Sequence, residues 1–160
     1  MDEIDINEIR LLYKQASDNS RKCDELYKIL DVKEVEQYPL FLGYKGAAQA
    51  IRAKHSLFPH LKYSRFREAM QILDRAVIKE ENNVEIRFLR FTIQTNSPAL
   101  FNYRGQIKED KKMMIDALPQ IHDDDGLIEV LATALFESDA VTSADKNLAK
   151  EYLDKLQHNN

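Results

Sequence analysis

The run FREAMQILDRAVIK, from Phe66 to Lys79, constrains the chain most. Phe66, Ala69, Met70, Leu73, Ala76 and Val77 fall within roughly 120° of arc when successive residues are set about 100° apart, so the segment has a single apolar face only as an α-helix. As a strand it would scatter the same side chains over both faces. The rest of the chain keeps the period. It holds four Gly and four Pro among 160 residues, and no regular polar and apolar alternation of the kind that frames a hairpin turn. The expected fold is all-α, about eight helices in stacked antiparallel helical hairpins.

Spacing and capping residues predict where those helices lie. Ile6, Ile9, Leu12, Tyr13 and Ala16 predict a first helix over 5–17. A second starts at a Ser20 cap and runs to Leu30, with Cys23 among its packed positions. Pro39 suits a first helical position and opens a third, to Ser56. Here Leu40, Tyr44, Ala47 and Ile51 make one apolar stripe, Gly43, Gly46, Ala50 and Ala53 a stripe of small residues, and Lys45, Gln49, Arg52 and Ser56 the wet face. Two helical glycines cost about 1 kcal/mol each, which close approach of a neighbouring helix would justify. HSLFPHL is expected as a loop, the fourth helix as 62–79, and the fifth from an Asn83 cap to Ser97-Pro98. A sixth spans 103–118. DDDG caps a seventh, 127–137, apolar almost all round, and Thr142 or Ser143 caps the eighth, before a frayed QHNN tail.

At this length, with 44% apolar residues, a single domain over 1–160 is expected without disulfides. Its parts are an N-terminal hairpin (1–36), a central region (37–118) and a C-terminal hairpin (119–160). One cysteine forms no internal bridge, and MDEIDINEIR is acidic where a signal peptide would be basic, so a reducing cytoplasm is expected. No window approaches eighteen uninterrupted apolar residues, so no membrane partner is expected.

The formal net charge of −4 conceals an asymmetry: −4 over 1–42, +7 over 43–112 and −7 over 113–160. A basic middle can steer an acidic partner. It can equally pack beside acidic helices. Within it, NNVEIRFLRFTIQTNSP places Arg87, Arg90 and Gln94 within roughly 60° of one another, flanked by Ile86, Leu89 and Ile93 on one side and Val84, Phe88 and Phe91 on the other. Such a helix is either nearly enclosed, with an internal ion pair from Asp110 to Arg87 or Arg90, or it lines a groove where the guanidinium forks grip a carboxylate or phosphate.

Residues 38–97 resemble tetratricopeptide-type helical repeats. AMQILDRAV places Ala69, Leu73 and Ala76 as the second helix of such a repeat does, and ENNVEIRF resembles the turn opening the next. The hairpin from Tyr38 to Glu81 spans 44 residues against a standard 34, and HSLFPHL is expected to hold much of the excess. The same centre is similar to an uncharacterised bacterial family. The resemblance implies stacked hairpins and protein binding, and assigns no ligand residue.

Tests for chemistry give little. The histidines, at 55, 60, 122 and 158, show no metal-ligand spacing, so no metal is expected. HDDDG lacks the alternating ligands of a calcium loop, and LGYKGAA has the wrong spacing for a phosphate loop. HLKYSRFRE interleaves basic and aromatic residues as nucleic-acid binders do, against which stands a pI near 5.6. No catalytic residue and no cofactor are expected. The function expected is a non-enzymatic protein-protein interaction module that takes an acidic partner segment on Lys45, Arg52, His55, Arg87, Arg90 and Gln94, with Tyr44 and Lys54 nearby. The alternatives are a small-ligand binder or small enzyme with a pocket lined by Arg87, Arg90, Gln94 and His55, and a structural subunit, homo-oligomeric or in another complex.

Overall fold

The helical period is realised throughout the computed structural model, which describes residues 4–158. Eight α-helices follow one another: α1 (Ile6–Ala16), α2 (Ser20–Leu30), α3 (Pro39–His55), α4 (Pro59–Lys79), α5 (Val84–Thr95), α6 (Ile107–Ala117), α7 (Asp125–Glu137) and α8 (Ser143–His158). Three short 3-10 segments, Lys33–Gln37, Ala99–Phe101 and Leu118–Gln120, lie between them. There is no strand among the described residues.

Local chemistry sets the helix starts. Asp5, Asn19, Asn83 and Asp124 each accept hydrogen bonds from backbone N–H groups of the first turn that have no partner inside the helix. Asn19, rather than the expected Ser20, caps α2. Pro39 and Pro59 open α3 and α4, where a missing N–H costs nothing. Because Pro59 serves in this way, α4 begins three residues before the expected Lys62. The expected HSLFPHL loop shrinks to Ser56–Phe58, with Ser56 and Phe58 in extended backbone, and the excess length of the hairpin sits in its two helices. Other boundaries also move: α6 begins at Ile107, not Tyr103, α7 at Asp125, not Leu127, and Gln157 and His158 continue α8.

The chain divides into two compact units, Met1–Arg90 and Phe91–Asn160. The expected part boundaries at 36/37 and 118/119 fall within them. In the first unit α3 is the central element, packed against α1, α2 and α4. Gly46 makes the closest approach possible: a Cβ there would sit 2.9 Å from Leu73 Cγ and 3.0 Å from the Leu73 backbone nitrogen. Gly43 does the same toward α5, where a Cβ would meet Leu89 Cδ1 at 3.2 Å. The small-residue stripe thus lets two helices close on α3. Its expected wet face is largely covered, with Gln49 and Ser56 buried, because α4 closes over it. Leu26, Leu30, Leu42, Leu73 and Ile86 are fully buried in this unit, each worth about 1.5–3 kcal/mol of burial.

In the second unit α7 packs on α8 and on the Leu118–Gln120 turn. Helix α7 buries one face, Ile128, Leu131, Ala132 and Leu135, and leaves Phe136 exposed. It is not enclosed all round, as its apolar composition suggested, because α8 and the Leu118–Gln120 turn pack on it without covering Phe136.

Candidate functional site

The strongest polar constellation lies inside the first unit. Capping by Asn83 holds Glu85 in the first turn of α5, and Arg10 of α1 meets it with both arms of the guanidinium: Nε donates to Oε1 and Nη2 to Oε2, each at 2.8 Å. The Tyr44 hydroxyl of α3 donates to the same Oε1 at 2.6 Å, and Arg10 Nη1 donates to Asn7 Oδ1 at 3.2 Å. Arg10 and Glu85 are 7% and 4% exposed and Tyr44 is fully buried. Tyr13 stands edge-on to both Tyr44 and Phe88 beside them. Burial first, then the Glu85 charge and hydrogen bond, push the Tyr44 hydroxyl well above its ordinary range, with Arg10 opposing. A paired, enclosed carboxylate has no access to substrate; what the cluster does is tie α1, α3 and α5 together.

Sequence reasoning missed Arg10 and Glu85. A signal was present. Arg10 borders the apolar arc of α1, four residues after Ile6 and three before Tyr13, and Glu85 precedes Phe88 and Leu89 by three and four residues, so each charge sits beside apolar positions. A charge placed there implies a buried partner of opposite sign.

The expected arginine stripe is inside the fold. Arg87, Arg90 and Gln94 are 7%, 6% and 0% exposed. Arg87 Nε donates to the Glu81 carbonyl at 2.8 Å, Arg90 Nη1 lies 3.7 Å from Asp74 Oδ1, and Gln94 Nε2 donates to Gln106 Oε1 at 2.6 Å. Asp110, in the first turn of α6, is fully buried. The helix is therefore enclosed rather than edged by solvent on its polar stripe.

Three other expected contacts lie along α3. The Lys45 ammonium pairs with Asp31 at 2.9 Å. Arg52 pairs with Asp24 at 3.2 Å, donates to Gln49 Oε1 at 3.0 Å and lies 4.0 Å over the Tyr27 ring; Gln49 in turn donates to Glu68 at 2.5 Å. His55 Nε2 is 2.9 Å from the Ala16 carbonyl, a packing contact. Cys23 donates toward the Ala48 carbonyl at 3.4 Å; burial and then Asp24 push its thiol up to about 12, which leaves it protonated and unreactive at neutral pH.

One basic region does reach solvent, at the α3–α4 turn. From Gln37 to Arg67 the chain contains no Asp or Glu and six Lys or Arg. At the turn Leu57 is 90% exposed, Phe58 59% and Tyr63 48%, and Lys54, His60, Lys62 and Arg67 are exposed beside them in sequence. Arg65 is not part of this face, since its Nη1 donates to Ser56 Oγ at 2.7 Å.

Among the described residues there is no group of three metal-ligating side chains, and no helix is long and apolar enough to cross a membrane. An open cleft of about 260 Å³ lies in the second unit, lined by Asp125, Gly126, Glu129, Leu153, Leu156 and Gln157. No family model, curated protein or solved structure matches the chain.

Proposed function

We propose that this all-helical chain is a non-enzymatic binding module of tetratricopeptide-like hairpins, and that it takes an acidic protein segment on a basic face of the α3–α4 hairpin. One observation carries the reading: thirty-one consecutive residues, Gln37 to Arg67, hold six cations and no carboxylate. The exposed cations of that run, Lys54, Lys62 and Arg67, give its surface a positive potential that attracts and orients an acidic partner. Lys54, Lys62 and Arg67 are the exposed contacts. Lys45 and Arg52 stand further along α3, half-buried and already matched by Asp31 and Asp24, so they support the potential more than they grip. Arg87, Arg90 and Gln94 serve the interior, and the working compartment is the cytoplasm.

Affinity capture from a cytoplasmic extract tests this, comparing wild type with Lys54→Glu/Lys62→Glu/Arg67→Glu after circular dichroism shows equal helix content. Acidic proteins recovered by wild type should be lost with the variant. Recovery of the same set by both baits refutes the assignment.

A further inference from the structure

The exposed surface at the α3–α4 turn is not only basic, and its layout says more about the partner. Leu57 and Phe58 protrude from the turn, and His60, Tyr63 and Arg67 follow at three- and four-residue spacing, so those three share the outer face of α4. This face lies opposite the packed arc of Phe66, Ala69, Leu73 and Ala76. It extends about 10 Å along the helix from His60 to Arg67. Two contacts order it: the Phe58 and His60 rings are 5.9 Å apart, and the Arg67 guanidinium stands 5.7 Å from the Tyr63 ring. The result is a row of apolar and aromatic side chains, Leu57, Phe58, His60 and Tyr63, that ends on the cation Arg67. Its side chains are partly fixed before binding, which lowers the entropy lost on association.

We infer that the partner segment carries apolar side chains among its carboxylates, and that it lies along the outer face of α4 with Leu57 and Phe58 as its anchor. This rests on the reading proposed above and adds the apolar half of the recognition. A second copy of the same face is a poor occupant, because it would set cations against cations. A single-stranded nucleic acid needs aromatic faces free to stack bases, but the most exposed group here is aliphatic and the two rings already have neighbours. A lipid surface would engage the protruding pair alone and leave the flank at Tyr63 and Arg67 unused. A peptide running along the helix uses all of it, apolar groups for affinity and cations for register.

Fluorescence anisotropy with defined peptides separates the two layers of this reading. One probe is an acidic peptide with Leu or Phe at every third or fourth position; the control has the same charge, with Ala at those positions. The wild-type chain should bind the first more tightly than the control. Leu57→Ser/Phe58→Ser should weaken the apolar acidic peptide by roughly 10- to 100-fold, the loss expected for uncovering two anchors, and leave the alanine control unchanged. Arg67→Glu should weaken both peptides. If wild type binds the two peptides equally and the Leu57/Phe58 variant behaves like wild type, the anchor is refuted while the basic face stands. If neither peptide binds, both readings fall. Binding to phosphatidylserine vesicles or to oligothymidylate in place of the peptides overturns the inference in favour of a lipid or nucleic-acid occupant.

Discussion

Two of the places where arginine and tyrosine meet in the first unit differ in nearly everything but composition. At Glu85, Arg10 and Tyr44 are enclosed and satisfy one carboxylate completely. Near the start of α4, Arg67 and Tyr63 stand in solvent, 5.7 Å apart. The difference is one of dielectric. Enclosure makes each partner of the first cluster costly to remove, because the charge left behind is unsolvated. Water screens the second, so its members contribute little to stability and stay available to a ligand.

The largest effect that would test this contrast is Glu85→Ala. It strands the Arg10 guanidinium in the interior and should cost about 3–5 kcal/mol in urea denaturation. Replacing the whole pair, Arg10→Met/Glu85→Leu, should recover most of that loss, since no buried charge remains. If the single variant costs no more than a surface pair, the cluster is not a closed site. Tyr44→Phe is milder: it removes one hydrogen bond to a charged group and should cost about 1.5–3 kcal/mol.

The same enclosure predicts a response to alkali. Burial pushes the Cys23 thiol up to about 12 from an ordinary 9.0, and the Tyr44 hydroxyl well above 10.0. Both groups are protonated in either state below about pH 9, so their contribution is intact there. Above it the unfolded chain ionises first, and stability falls progressively toward pH 12. Urea midpoints measured at pH 8, 9 and 10 should therefore decline, and a flat profile would mean that Cys23 is open to water. The smallest effect belongs to the exposed turn. Leu57→Ser/Phe58→Ser should shift unfolding by less than about 0.5 kcal/mol while changing peptide binding. A large loss of stability would show that the apolar tip is packed.

Much of the backbone was legible. Asn83, Asp124, Pro39 and the apolar spacing of 66–77 act within a turn or two of their own position, and the expected helices at 5–17, 20–30 and 39–56 stand within a residue or so of α1, α2 and α3. Pro59 misled because proline reads equally as a loop residue and as a helix opener. The site was far less legible. A helical wheel shows that Arg87, Arg90 and Gln94 share a stripe, but not that the stripe is enclosed. It shows Lys45, Gln49, Arg52 and Ser56 as one polar face, but not that α4 covers Gln49 and Ser56.

Sequence alone determined which residues turn together on each helix, because capping and the 3.6-residue period are local forces. Which faces are wet, that Arg10 would find Glu85 seventy-five positions away, and that Leu57 and Phe58 would be left in solvent were decided only by tertiary packing. Burial is a property of what the rest of the chain brings alongside, and no single helix carries that information.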